Sequence, residues 1–380
     1  MARSKVVSLR ECFSVVRDPR REHQRFHNLW DIIAITICAV ISGADNWPDV
    51  EEYGRCKEAW LESFLELPYG IPSHDTFGRV FALLDPLSFQ EGFAKWVHAL
   101  VEATEGRVIP IDGKTLRHSF DKAKGKGALH LVGAWAAENQ VLLGQVAVDA
   151  KSNEITAIPK LLELIDVSGA IVTIDAMGCQ KEIAAKIVEK GGDYVLALKG
   201  NQENLAKDVE KLFQEAIEND FAKLEYDMCR TEDKDHGRTE TRLYYVIDIP
   251  KEWRERYVDW KDLKTLGMVL CERQVGDATP TVERRFYINS IARKAKPFAR
   301  AVRSHWGIEN KLHWTLDVSF HEDASRLRTG HGPENLALVR RLAASLLQKE
   351  TTAKQGVAGK RKKAGWDEDY LLQVLGTALL

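Results

Sequence analysis

The chain has 380 residues, 44% hydrophobic and 29% charged, which suits a buried core and excludes wholesale disorder. Its 54 Lys and Arg against 56 Asp and Glu leave a formal charge of −2. That excludes a small basic DNA-coating protein but leaves room for local basic patches.

Residues 1–100 predict helices throughout. The first 30 residues carry seven Lys and Arg (Arg3, Lys5, Arg10, Arg17, Arg20, Arg21, Arg25) against three acids. The apolar run Leu29 to Ala44 contains Asp31 and is shorter than the roughly 20 residues of a membrane span. It predicts a buried helix, with neither a membrane span nor a signal peptide. IPSHDTFGRVFALLDP (71–86) predicts another helix, started by Ser73 or Asp75. Six cysteines without a CxxC pair show no zinc ribbon, redox motif or disulfide framework, and a cytoplasmic location is expected.

The pattern changes near residue 107. Arg107–Asp112, Leu129–Ala137 and Val141–Ala150 predict three strands, the last two joined by a hairpin loop at 138–140. A helix over Glu154–Val167, a buried strand over Ala170–Ala176, a helix over Cys179–Gly192 and a strand over Tyr194–Gly200 follow. Strands joined by helical crossovers run parallel, so the domain is mixed α/β. A helix over Asn201–Phe221 leads into period-two segments from about 224 to 292, predicted as a β insertion containing the strands TETRLYYVIDI, LGMVLCERQV and TVERRFYINS. Residues 295–317 and Gly332–Glu350 predict helices, the second with Pro333 in its first turn. The basic run 360–363 predicts a flexible tail.

Two acids end apolar strands, Asp112 in PIDGKT and Asp175 in TIDAMG, where open α/β sheets place their sites. On the helix 295–317, His305, Glu309, His313 and Asp317 recur every four residues, drifting only about 40° per step. Three carboxylates without a Cys/His ligand set favour hard cations such as Mg²⁺ and point to metal-dependent phosphoryl transfer. The opposing pattern, zinc on His305 and His313, is weakened by the about 80° between them around the axis.

IDGKTLRHS (111–119), SNEITAIPKLL (152–162), TIDAMGCQKEIA (173–184), DYVLALKGNQ (193–202), HGRTETR (236–242) and HWGIENKLHWTLDV (305–318) together resemble the H-repeat-associated insertion-sequence transposases. These belong to the DDE superfamily with an RNase H-like core. ICAVISGADNW (37–47) and IPSHDTFGRV (71–80) are similar to the helical domain that precedes that core. The resemblance implies an RNase H-like mixed α/β sheet with helices over 101–325, interrupted by a β insertion at about 222–292. It also implies an N-terminal helical DNA-binding domain over 1–100; 326–380 hold a C-terminal helix and basic tail. It implies Asp112, Asp175 and Glu309 as catalytic and metal-binding residues, with Mg²⁺, or Mn²⁺ in its place. The wider set of such enzymes often carries a tyrosine seven residues before the glutamate, an arginine four before and a lysine seven after. Val302, His305 and Leu316 stand there instead, and Arg303, His305 or Lys311 would replace those phosphate contacts.

The implied partner is double-stranded DNA, as element ends and as target, bound by a homodimer or higher oligomer. Candidate DNA contacts are Lys114, Arg117 and His118 after the first acid, with Lys122, Lys124 and Lys126 beyond, and Lys199 on the rim of the site. Arg238, Glu240, Arg242 and Tyr244 share one strand face, suited to phosphates and unstacked bases or to a salt-bridged surface. The expected activity is cleavage at insertion-sequence ends followed by strand transfer of the 3′-OH. The alternatives are an RNase H-like nuclease that cuts without joining and a decayed DNA-binding relative.

Overall fold

The computed structural model describes residues 8–100, 107–120, 125, 127–149, 152–222, 224–235 and 237–376. Lys122, Lys124, Lys126, Arg3 and Lys5 lie outside them. The chain separates into two compact units, each discontinuous in sequence. The first draws on 1–103, 113–153 and 309–380, the second on 104–112 and 154–308. Nine strands are described: β1 (Val108–Leu116), β2 (Leu129–Ala136), β3 (Val141–Ala147), β4 (Ile171–Ile174), β5 (Asp193–Leu198), β6 (Tyr226–Asp235), β7 (Arg238–Asp248), β8 (Thr265–Val275) and β9 (Thr281–Asn289).

In the second unit the strand order is β1-β4-β5-β9-β8-β7-β6, with β1 entering by its first half. β1, β4 and β5 are parallel, as the helical crossovers predict. β9 then adds antiparallel to β5, and β8, β7 and β6 follow antiparallel in turn. The segment 224–292 therefore continues the sheet. It contributes four strands; the fourth, β6, is so polar that its alternation hides in the sequence. The helix Ala295–Gly307 covers one face of this sheet. Its Phe298, Ala299, Ala301 and Val302 pack with Val108, Ile171, Val195, Tyr244, Val246 and Tyr287. The approach is close: a Cβ on Gly267 of β8 would lie 2.5 Å from the Phe298 ring.

The first unit joins the hairpin β2–β3 to helices from both ends of the chain. Helix Leu29–Ile41 is buried from Asp31 to its end. Asp31 is tolerated there because its Oδ2 accepts the Leu67 N–H at 3.1 Å. Among the described residues no helix is long and apolar enough to cross a membrane. The 18-residue helix Gly332–Lys349, with Pro333 in its first turn, packs against Leu29–Ile41.

Two expectations are corrected. Residues 360–363 are not a flexible tail but part of the helix Val357–Trp366, with Lys360 and Arg361 buried. Lys360 Nζ donates to the Leu347 carbonyl at 2.9 Å, and Arg361 Nη2 to those of Val40 and Ala44 at 3.0 and 3.2 Å. These cations cap backbone carbonyls, and the cost of burying them is offset by carboxylates as well, Asp45 at 3.2 Å from Arg361 and Glu350 at 3.7 Å from Lys360. The stretch 295–317 is not one α-helix. It is α-helical over Ala295–Gly307, π-helical over Ile308–His313 and α-helical again over Trp314–Phe320. The wider turn breaks the four-residue stripe drawn through His305, Glu309, His313 and Asp317.

Candidate functional site

The second unit brings two of the candidate acids together. Ile111 of β1 pairs with Ile174 of β4 in parallel register, so Asp112 and Asp175 follow at one level at the strands' C-terminal ends. Adjacent strands lie about 4.8 Å apart. Ile111 and Ile174 point into the core at 1% and 3% exposure, so by alternation both acids leave from the opposite face. Val108 and Ile171, of the same parity as the acids, lie under helix Ala295–Gly307. Both acids are half-buried.

The same face carries His305. Its Nδ1 lies 3.0 Å from the hydroxyl of Thr173, which shares its strand face with Asp175. Burial holds the His305 pKa below its usual value, against the pull of the Asp175 carboxylate, so the ring is neutral at pH 7. Asp175 is itself fixed by its own loop: Oδ1 accepts the N–H groups of Met177 at 3.0 Å and Gly178 at 3.2 Å. Gly178 is required there, because a Cβ would sit 2.3 Å from Ile174 Cγ2. The loop is tied from outside by Asn201, whose Nδ2 donates to the Ala176 carbonyl at 2.5 Å, and by Gln202, whose Nε2 donates to the Cys179 carbonyl at 3.0 Å.

Thr173, Gly178, Asn201 and Gln202 are missing from the sequence-based candidates. The signal for two of them was the Asn-Gln that follows Lys199 and Gly200 in LKGNQ. Lys199 is exposed just past β5, at the same end of the sheet. It lines a cleft of about 360 Å³ with Lys207, Arg284 and Arg285.

On the β7 face, Glu240 is 3% exposed and holds two of the cations expected to meet DNA, together with a third arginine. It pairs with Arg242, with Arg238 Nε at 3.2 Å and with Arg273 Nε at 2.8 Å. Asp233 of β6 takes Arg242 as well and Arg303 at 3.3 Å. Tyr244 is fully buried and meets Phe298 edge-on at 6.2 Å, so it is not offered to an unstacked base. Its strand face lies under helix Ala295–Gly307, which the polar spacing of HGRTETR did not reveal.

In the first unit, Lys114 is buried. Its Nζ lies 2.7 Å from each Asp317 oxygen and 3.8 Å from Asp323. Arg117 pairs with Asp323 at 3.2 Å, and the His118 ring meets the Asp323 carbonyl at 2.5 Å. Glu309 and Lys311 are exposed on the π turn. His313 is half-buried; burial, then the Arg341 and Lys114 charges, push it down to about 3.

Asp112 and Asp175 are oxygen donors, and burial, helped by Asp175, pushes the neighbouring Cys179 thiol up to about 12. A carboxylate pair without a thiolate fits a hard divalent cation. Among the described residues no group of three His, Cys, Asp or Glu side chains is placed to hold a metal ion.

Residues 10–97 match the family model described as DDE_Tnp_1-associated, and residues 103–347 match the Transposase DDE domain. The "Putative transposase YncI" of Escherichia coli O157:H7 is 44% identical over 98% of this chain and 95% of its own length. The "H repeat-associated putative transposase YhhI" of Escherichia coli K12 is 41% identical over 97% of each chain. The "H repeat-associated putative transposase YbfD" of the same strain is 44% identical over 64% of this chain and 95% of its own length.

Proposed function

The chain belongs to the family of H-repeat-associated DDE transposases, and on that premise we propose that it cuts DNA at the ends of an insertion sequence and transfers the freed 3′-OH into target DNA. The observation that carries this reading is the pair Asp112 and Asp175, at one level and on one face of adjacent parallel strands. With Glu309 as the third carboxylate they would hold Mg²⁺, or Mn²⁺ in its place. Two such ions, when bound, activate the attacking oxygen and take up charge on the leaving oxygen of a phosphodiester. In cleavage, a water oxygen bonds to phosphorus as the bond to the element's 3′ oxygen breaks. In joining, that 3′-OH attacks a target phosphodiester and displaces its 3′ oxygen.

The chain's own residues orient these steps. Asp175, held through Oδ1, would present Oδ2 to the ion. Neutral His305, steadied by Thr173, would hydrogen-bond a phosphate oxygen. The exposed Lys199, His118 and Lys311 suit backbone phosphates, and Arg117, also exposed, would first have to leave Asp323. Lys114, Arg238, Arg242 and Arg303 would have to exchange a carboxylate for a phosphate to do the same. The protein would act in the cytoplasm as a homodimer or higher oligomer on double-stranded DNA.

A second reading, a nuclease without strand transfer or a decayed DNA-binding relative, is favoured by Val302, His305 and Leu316 standing where many relatives carry tyrosine, arginine and lysine. One assay separates the three. A labelled duplex bearing a pre-cut 3′-OH element end is incubated with supercoiled target DNA and Mg²⁺. Joined product supports the transposase, nicking without joining the nuclease, and binding alone the decayed relative.

A further inference from the structure

The sheet of the second unit ends in β6. It pairs with β7 on one side, and among the described residues no strand lies on the other. β6 runs for 10 residues in unbroken register against β7, without proline or glycine. Such an edge presents a row of unpaired N–H and C=O groups, which proteins commonly guard with inward-pointing charges or bulges. Here two acids on the helix-facing side are already engaged. Asp227 Oδ2 accepts the Ala295 N–H at 2.8 Å, and Asp233 pairs with Arg242 and Arg303. The opposite face carries Tyr226, Met228, Arg230, Glu232 and Lys234. Tyr226 and Met228 are each 46% exposed, beside the stacked rings of Phe221 and Tyr245.

We propose that β6 pairs antiparallel with β6 of a second copy of this chain, about a two-fold axis at Thr231. Of the registers centred on Arg230, Thr231 and Glu232, the charge pattern at the middle of the strand favours that one, which sets its only like-charge pair, Asp227 against Asp235, at the strand ends. Centred on Thr231, each Arg230 faces the partner's Glu232, and two threonines meet on the axis; both kinds of cross-strand pair are favourable. Centred on Glu232, the strand would oppose Glu to Glu and Arg230 to Lys234. Centred on Arg230, it would oppose Arg to Arg. Within one chain Arg230 meets Glu232 only at 3.4 Å and Lys234 Nζ holds Glu232 at 2.9 Å, all three on exposed side chains, so pairing across the axis exchanges one surface ion pair for another. A two-fold isologous contact closes on itself, so the edge is consumed in a dimer. This goes beyond the reading of the catalytic site, since it concerns the protein without DNA.

The experiment is sedimentation equilibrium of the full chain without DNA. Wild type is expected at twice the chain mass. Arg230→Glu and Glu232→Arg, each alone, set like charges across the axis and should raise the dimer dissociation constant about tenfold or more. An equimolar mixture of the two variants restores both Arg–Glu pairs in a heterodimer and should recover the wild-type mass. Wild type monomeric at every concentration, single variants as dimeric as wild type, or a mixture no more associated than its components would each overturn the proposal. Unchanged circular dichroism and melting of the two surface variants keeps misfolding apart from lost pairing.

Discussion

Acid should weaken the first unit through His313. Burial, then the cations Arg341 and Lys114, bring its pKa from 6.5 down to about 3. In the unfolded chain the ring returns to its ordinary value, so between pH 6.5 and 3 the unfolded state binds a proton that the folded state refuses. The stability tied to the neutral ring is fully present above pH 6.5 and is lost as pH falls towards 3. At about 1.36 kcal/mol per unit, the loss is roughly 2 kcal/mol at about pH 5 and roughly 3 kcal/mol at about pH 4. His305 is shifted the same way and steepens the acid side of the second unit. The assay is urea unfolding near neutrality and near pH ~5, for wild type and His313→Gln. Whatever the substitution costs at neutral pH, the gap between its two unfolding free energies should shrink by about 2 kcal/mol. An identical pH dependence in the two proteins, or an NMR titration placing His313 near 6.5, refutes the reasoning.

Asp112→Asn, Asp175→Asn and Glu309→Gln should each abolish Mg²⁺-dependent cleavage while leaving element-end binding within a few-fold, read by nicking and filter binding; wild-type cleavage in any one removes that residue from the site. Zn²⁺ should not replace Mg²⁺ or Mn²⁺, and zinc-restored activity that is lost in His305→Ala and His313→Ala would overturn the carboxylate site. DNA affinity should fall steeply with salt, with a log–log slope of about −0.9 per phosphate contact, and a flat response across titrated NaCl would exclude the basic clusters as the DNA surface. Gly178→Ala should cost roughly 1–3 kcal/mol, because its methyl would meet Ile174 at 2.3 Å; an unchanged melting curve would show that the Asp175 loop is looser than its packing indicates.

The two strands that end in Asp112 and Asp175 were legible in the sequence because their pattern is local. RVIPID and AIVTIDA are apolar runs that each end in an acid, and helical crossovers force the strands parallel. The same local logic found Pro333 at its helix start. It failed where a partner lies far along the chain. Arg361 has the composition of a solvated tail, and nothing near it in sequence announces the carbonyl of Val40. Lys114 has the setting of a phosphate contact until Asp317 is seen 2.7 Å away. Tyr244 looks exposed because its neighbours on the strand are charged, yet Arg238, Glu240 and Arg242 neutralise one another beside the packed helix. The π turn was also hidden, since the residues of 308–313 are compatible with an ordinary α-helix.

The reach of Arg361 back to Val40 has a consequence for how the protein is made. The two residues are 321 positions apart, which at about 5–20 residues per second is roughly 15–60 s of translation. For that interval the newborn helix Leu29–Ile41, apolar on nearly every side, waits outside the ribosome with neither its polar end closed nor the helix Gly332–Lys349 to lie against. The unit whose last segment ends at residue 308 can close first, and the other only once the final helices emerge. A chain stopped short by a frameshift or a premature stop codon would keep that helix exposed, a target for chaperones and proteases. Only complete copies would then accumulate.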